Sequence, residues 1–330
     1  MSTRGRLKDC FEFSVDCSQW TVGWELTTGN WELNMTARII DGKQVAADIR
    51  AELKEEIAKL KTRGVVPGLG VILVGDDPAS QSYVTGKERA CEEIGIYSDD
   101  NRLPASTSQD ELIALVERMN HNPRIHGILV QLPLPKHLDE SAVLLAIHPD
   151  KDADGLHPVN IGRMVMGEKA ILSCTPHGVL QLLVRSGVTI DGTHAVIVGR
   201  SNLVGKPLAN MLSQKSPTGN ATVTVCHTRT KNLAQYTRQA DILIAAIGRP
   251  GTITADMVKD GAVVIDVGVS RIDDATKKAG YRLVGDVDFD AVKEKASLIT
   301  PVPGGVGPMT ITMLLYNTVA SAKRAAGLDW

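Results

Sequence analysis

From Gln44 onward the apolar residues Val45, Ile49, Leu53, Ile57 and Leu60 recur at spacings of four, four, four and three, with charges between them. That is the stripe of an amphipathic helix, and Gly64 closes it. An apolar run over 69–74 follows and ends in Gly75-Asp76-Asp77-Pro78. A short apolar run bounded by turn residues predicts a buried strand, and Pro78 suits the first turn of a second helix reaching about Gly95. A helix over about 109–120 and a strand over 125–130 come next, the strand breaking at Gln131-Leu132-Pro133-Leu134-Pro135. Strands alternating with helices predict a parallel sheet covered by helices.

The rhythm restarts after about residue 175. Strands are predicted at His194–Val198, Thr222–Cys226, 241–245 and 262–267, the pattern of a doubly wound nucleotide-binding domain. A last helix over about 310–325 follows Pro301-Val302-Pro303-Gly304-Gly305-Val306-Gly307-Pro308, which reads as an irregular loop approaching something closely. The fold class is therefore α/β, two αβα lobes with a cleft, the C-terminal lobe Rossmann-like. A chain of 330 residues, 43% hydrophobic, suffices for two such cores.

Residues 1–35 stand apart as an N-terminal extension outside the fold, with Trp20, Trp24 and Trp31, no apolar periodicity and the acids Asp9, Glu12, Asp16, Glu25 and Glu32. Met35 is an alternative start, and the segment fits neither an acid-poor transit peptide nor an apolar secretory signal. The balance of 36 Lys and Arg against 38 Asp and Glu leaves a net charge of -2, no field for drawing in nucleic acid or an anionic membrane, so small molecules are the expected partners. Five scattered cysteines without a C-x-x-C pair argue for reduced thiols in the cytoplasm, with the mitochondrion second. No apolar run approaches the ~20 residues of a membrane span. Metal chemistry is not expected, since Cys174 and His177 are the nearest thing to ligand spacing and nothing completes a set.

The predicted strand His194–Val198 leads into Gly199-Arg200-Ser201-Asn202-Leu203-Val204-Gly205-Lys206-Pro207 and then a helix. Such a turn offers free N–H groups and a helix dipole to a diphosphate, although Ser201 replaces the second glycine of the usual fingerprint and a purely structural turn reads equally well. After the next strand stands Cys226-His227-Thr228-Arg229, with no carboxylate for ribose hydroxyls. Arg200 and Arg229 are available to face a 2′-phosphate, which favours NADP over NAD; the alternative for either is a solvated surface charge.

Tyr83 and Lys87, four apart, share one helix face, where an ammonium can move protons and a phenol can stack on a flat ring. An isolated pair of this kind is more often an exposed face, so it needs company. Gln131 at the carboxyl end of a strand and the loop Asp152-Ala153-Asp154-Gly155 provide it, the first otherwise a turn cap, the two acids otherwise turn formers.

Taken in order, Ser82-Tyr83-Val84-Thr85-Gly86-Lys87, Val130-Gln131-Leu132-Pro133-Leu134-Pro135, Lys151-Asp152-Ala153-Asp154-Gly155, Gly199-Arg200-Ser201 with Val204-Gly205 and Pro207, and Pro303-Gly304-Gly305-Val306-Gly307-Pro308-Met309-Thr310 resemble the bifunctional methylenetetrahydrofolate dehydrogenase/cyclohydrolase family. The resemblance runs from about Ile39 to about Leu328. It implies that Lys87 is the general acid/base, Tyr83 stacks on and orients the folate, Gln131 tunes the lysine and Asp154 binds the pterin. Val130, Leu132, Pro303, Gly304, Gly305, Val306 and Gly307 would complete the folate contacts, and Gly199, Arg200, Ser201, Thr228, Arg229 and Val269 would hold NADP. It implies a folate-binding lobe of residues 36–150 plus 308–330, an NADP-binding lobe of 151–307, a homodimer, and tetrahydrofolate derivatives, polyglutamylated or not, as substrates.

Two departures touch the motifs: Ala153 stands where the family usually has valine, and His177 where a Lys or Arg is usual, which puts a permanent charge there in doubt. The rival readings are another two-domain NAD(P) dehydrogenase, which should carry a His-centred set that is not evident, and an inactive binding relative, which should have lost Lys87 or Gln131.

Overall fold

The computed structural model describes residues 36–277 and 280–330; the extension expected over 1–35 lies outside the described residues. A short strand β1 (Arg38–Ile39) leads to α1 (Gly42–Thr62), capped by Asp41, whose carboxylate accepts the N–H groups of Lys43 and Gln44. Ala46, Ile49, Leu53, Ile57 and Leu60 form its buried stripe, and each fully buried Leu or Ile contributes about 1.5–3 kcal/mol. Next come β2 (Gly68–Val74), buried throughout, α2 (Pro78–Ile94), β3 (Tyr97–Leu103), α3 (Gln109–His121) and β4 (Gly127–Val130). β2 lies between β3 and β4, all three parallel. β3 was not predicted from the pattern, because its sequence Tyr97-Ser98-Asp99-Asp100-Asn101-Arg102-Leu103 has no apolar alternation. It forms an edge of the sheet, where charges are tolerated and discourage pairing with another chain.

After α4 (Glu140–Ala146), α5 (Pro158–Val165) and α6 (Cys174–Arg185) the second sheet begins with β5 (His194–Val198), α7 (Gly205–Ser213), β6 (Thr222–Cys226), α8 (Leu233–Thr237), β7 (Ile242–Ala245) and β8 (Val263–Asp266). An antiparallel hairpin, β9 (Ser270–Asp273) with β10 (Tyr281–Val284), then α9 (Phe289–Val292), β11 (Leu298–Ile299) and α10 (Val306–Ala325) complete the order. The strands run β1-β11-β8-β7-β5-β6, all parallel. The chain winds outward from β5 in both directions, which opens a crevice at the carboxyl ends of β5 and β7.

Two details differ from the sequence reading. β1 pairs with β11, so the start of the segment assigned to the first lobe is an edge of the larger sheet. α10 begins at Val306, inside the Gly-Pro segment read as a loop, because a proline in the first turn, here Pro308, lacks only an N–H that has no helical partner. α10 then packs against α6 and α1 and reaches β2 and β4. No helix among the described residues is long and apolar enough to cross a membrane.

Candidate active site

Along α2 the residues Ser80, Val84, Lys87, Cys91 and Ile94 recur at helical spacing and are all buried. Lys87 therefore places an amine on the core-facing stripe, where an unpaired charge would be costly. Its Nζ donates to Gln131 Oε1 at 3.0 Å, and Gln131 Nε2 donates to the Leu132 carbonyl at 2.7 Å, which holds the amide with its oxygen toward the amine. Gln131 is held at the end of β4 by its own N–H bonded to Ile72 O at 2.9 Å. Tyr83 lies one turn before Lys87 and is 57% exposed.

These side chains line a cavity of about 420 Å³ together with Val130, Leu132 and Asp154, with Val306 and Gly307 from the start of α10, and with Val269 beyond β8. Leu203, Cys174, Thr175, Thr310 and Ile311 line it too, none of them singled out as a site residue from sequence. Thr175 Oγ1 and Thr310 Oγ1 lie 3.0 Å apart, joining the starts of α6 and α10 at the cavity wall. Leu203 and Thr310 lie within the sequence motifs but carry no chemistry that marks them singly, and Cys174 and Thr175 on α6 meet Thr310 and Ile311 on α10 only when these helices pack.

The two candidate acids separate in role. Asp152 is buried and its carboxylate accepts Leu156 N, His157 N and Asn160 Nδ2 at 3.1, 2.8 and 2.9 Å, a structural clamp on its loop. Asp154 reaches the cavity. Its loop is pinned from behind, since Asn317 Nδ2 on α10 donates to both Ala153 O and Leu172 O at 2.8 Å. Burial raises the proton affinity of Asp154 above that of an ordinary carboxyl, the Lys87 charge acts against this, and Asp152 adds to it. Ala153 is buried where a Cβ on Gly127 would come within 3.1 Å of its own Cβ, so the site is tight.

The remaining candidates do not line this cavity. Gly304 and Gly305 pack on the start of α1, where a Cβ on Gly42 would lie 1.8 Å from Gly305 O, and Pro303 precedes them at the surface. Gly199, Arg200 and Ser201 follow β5, and Thr228 and Arg229 follow β6, at the carboxyl edge of the larger sheet. Gly199 has φ +145° and a Cβ there would lie 2.2 Å from Ala246 O; one on Gly205 would lie 2.1 Å from Gly199 O. Glycine is required at both positions for β5, the turn and α7 to approach this closely. Ser201 Oγ accepts the N–H of Val204 at 3.0 Å. Arg200 and Arg229 are exposed and have no ion pair among the described residues, leaving two cations on an edge without a carboxylate at 227–229.

Beneath this edge is a hub that sequence reading missed. Asp286 is fully buried and accepts the backbone N–H groups of Ile247, Gly248 and Arg249 at 2.5, 2.9 and 2.8 Å, fixing the loop after β7. Asp266, at the end of β8, accepts the N–H groups of Gly268, Asp286 and Val287 at 3.0, 3.0 and 2.9 Å. Burial pushes its carboxyl up to about 6, against the pull of these hydrogen bonds. The available signal was one acid at the end of each apolar stretch, Val263-Val264-Ile265-Asp266 and Leu283-Val284-Gly285-Asp286. His177 lies in α6, buried, in edge contact with Tyr316 at 5.2 Å between ring centroids, and desolvation pushes it down to about 4. It is neutral at pH 7 and supplies no charge.

A doubly wound parallel sheet with a glycine turn, joined to a second parallel-sheet lobe where a helix lysine meets a glutamine at a strand end, defines a two-lobed dinucleotide-binding α/β enzyme. Residues 40–154 match the family described as tetrahydrofolate dehydrogenase/cyclohydrolase, catalytic domain, and residues 173–326 match the NAD(P)-binding domain of the same family. The chain belongs to the tetrahydrofolate dehydrogenase/cyclohydrolase family. It is 60% identical over 295 residues to the bifunctional protein FolD of Dehalococcoides mccartyi strain CBDB1, a match covering 89% of this chain and 99% of that one. Among solved structures it is similar to the bifunctional FolD methylenetetrahydrofolate dehydrogenase/cyclohydrolase of Campylobacter jejuni, with 50% identity, a TM-score of 0.82 and coverage of 87% of this chain and 99% of that one. The FolD of Trypanosoma brucei, solved with NADP cofactor and inhibitor, matches at 44% identity and a TM-score of 0.83 over 88% of this chain and 98% of that one.

Proposed function

We propose that this chain oxidises 5,10-methylenetetrahydrofolate to 5,10-methenyltetrahydrofolate with NADP and hydrolyses the product to 10-formyltetrahydrofolate, using the single cavity around Lys87 for both steps. The observation that carries the assignment of roles is the buried Lys87 Nζ held at 3.0 Å from Gln131 Oε1 at the carboxyl end of β4. An amine fixed on a buried helix stripe, with one N–H committed and the cavity in front of it, is equipped to move protons at a bound nitrogen.

The residues present fit NADP. At the start of α7, which has no side-chain cap, the Lys206 N–H is bonded to Ser201 O at 3.1 Å and Pro207 has no N–H, so it is the Gly205 N–H, beside the close glycine turn, that would face a diphosphate. Arg200 and Arg229 bring unpaired positive charge to an edge that lacks a carboxylate, the chemistry a 2′-phosphate requires. Gly199, Arg200, Ser201, Thr228, Arg229 and Val269 would hold the cofactor, which when bound accepts a hydride from the folate's methylene carbon.

The chain's own part is orientation and proton transfer. Tyr83, exposed beside Lys87, offers a ring on which the folate can stack, and Asp154 offers a carboxylate to the donor-rich edge of the pterin. In hydrolysis, water adds to the bridging carbon, one proton leaves that water and another reaches N5 as its bond to carbon breaks. Lys87 is the group placed to carry these protons, and Gln131 keeps Nζ aimed while leaving its other N–H groups free. We further infer a cytoplasmic homodimer that accepts polyglutamylated folates; sedimentation of the full chain and kinetics with mono- and pentaglutamate substrates test these points.

Purified Lys87→Met enzyme, assayed separately for NADP reduction and for methenyltetrahydrofolate hydrolysis, tests the assignment. Hydrolysis should fall by about two to four powers of ten, the usual worth of a general acid/base, while oxidation partly survives. Hydrolysis at the parent rate would remove the lysine from the mechanism.

A further inference from the structure

A second cavity lies at the other end of the smaller sheet. It has a volume of about 920 Å³ and is lined from the segments preceding β2 and β4, from the start of β3 and from the last turns of α10. β4 runs from this cavity, at His126, to the Lys87 cavity, at Gln131, so the two are at opposite ends of one strand.

Its polar wall is positive. Arg124, His126, His148, Lys151 and Arg324 line it against a single carboxylate, Asp150. That carboxylate is already engaged, with Oδ1 at 2.8 Å from Arg324 Nη2 and 3.9 Å from Arg163 Nη1. Lys151 Nζ donates to the carbonyls of Met119 and Asn122 at 3.2 and 2.9 Å, which leaves one N–H uncommitted. His126 Nδ1 accepts the Gly68 N–H at 3.1 Å, so the neutral ring carries its proton on Nε2 as a donor. The Arg124 guanidinium stacks on the Tyr97 ring at 4.1 Å, which holds it at the rim.

Two further observations indicate a missing acceptor. Ser321 is 3% exposed, and its Oγ and Arg324 Nη1 are buried without a hydrogen-bond partner. Burial pushes Lys151 down, and burial together with the Lys151 charge pushes His126 down, the behaviour of cations lacking a counter-charge. Val65, Val66 and Ile125 add an apolar side to the cavity.

We propose that this cavity binds a small molecule bearing an oxyanion, through Arg124, His126, Lys151 and Arg324, with its apolar part against Val65, Val66 and Ile125. Phosphate and carboxylate are the two forms such a group takes, and both meet the same donors. The site is distinct from the folate cavity and does not depend on the roles given to Lys87 or Gln131.

The test follows the His126 ring by NMR in the full-length protein, its signals assigned by their loss in His126→Gln. Inorganic phosphate and succinate are titrated separately, with sodium chloride holding ionic strength constant. The expected result is a saturable change at His126 with at least one probe and a higher titration midpoint in its presence, the tighter probe identifying the oxyanion. Arg124→Gln, an exposed change that leaves the core untouched, should weaken that binding about threefold to tenfold. No response to either probe overturns the proposal, as does an equal response in the parent and Arg124→Gln, which would mean an adventitious ion only.

Discussion

Replacing Asp286 by Asn should separate the two activities. The carboxylate takes two N–H groups on Oδ2, from Ile247 and Gly248, and one on Oδ1, from Arg249. An amide keeps one oxygen, so in its better orientation it retains the first two bonds and turns an NH2 toward the Arg249 N–H. One charge-assisted bond, worth about 1.5–3 kcal/mol, is lost, and a buried N–H is left unpaired at a further ~1–3 kcal/mol. Relief of repulsion offsets part of this, since the Asp286 charge is one cause raising Asp266. A net loss of about 3 kcal/mol follows, and with ~2–4 °C per kcal/mol for a chain of this order the midpoint should fall by about 6–12 °C. The loop that loosens follows β7, whose next residue Ala246 crowds Gly199 on the nucleotide edge. The KM for NADP should therefore rise severalfold while methenyltetrahydrofolate hydrolysis, which needs no nucleotide, stays within about twofold at 25 °C. Thermal unfolding by circular dichroism and the two assays together decide it. A parallel fall in both activities, or an unchanged midpoint, would refute the reasoning.

Other changes test the same physics elsewhere. His177 titrates at about 4 in the folded chain against 6.5 unfolded, so its neutral form stabilises at neutral pH and that contribution, about 3 kcal/mol, is lost as pH falls through this window. Asp266, raised from 3.8 to about 6, has the opposite sign and adds a similar amount of stability on acidification. In urea unfolding, His177→Leu should accordingly gain about 3 kcal/mol on the parent between pH 7 and pH 4; parallel curves would contradict this. Gly199→Ala places a Cβ 2.2 Å from Ala246 O at φ +145° and should cut NADP-dependent oxidation more than about tenfold, with hydrolysis far less affected; equal losses would point to general unfolding. Arg229→Gln should raise the KM for NADP about tenfold with little effect on NAD, since one charge-assisted contact to a phosphate is worth about 1.5–3 kcal/mol, and an equal effect on both nucleotides would rule out a 2′-phosphate role.

Much of the architecture was legible in the chain because burial imposes periodicity. The stripe from Val45 to Leu60, the apolar strands at 69–74 and 194–198, and the Pro78 and Gly95 boundaries of α2 are consequences of local residue choice, and all appear as helices and strands. β3 and the β9-β10 hairpin were not legible, since an edge strand and an exposed hairpin need no apolar alternation. The start of α10 was misread for a related reason, glycine and proline being neutral in a first helical turn.

The sequence by itself determined which chemical groups are present: one lysine four residues after a tyrosine, a glutamine after an apolar strand, two acids flanking Ala153, and a glycine turn without a following carboxylate. Only the tertiary structure decided what surrounds each of them, and the chemistry of a side chain depends on what stands opposite. Packing of α2 on β2 and β3 turned Lys87 inward to Gln131, hydrogen bonding consumed Asp152 and left Asp154 to the cavity, and the docking of α10 against α6 brought Thr310 to Thr175. The Asp266 and Asp286 hub and the cation-lined cavity behind the smaller sheet are assembled from residues far apart in the chain. No local pattern encodes such sites, since their energetics come from burial and from partners that only the fold supplies.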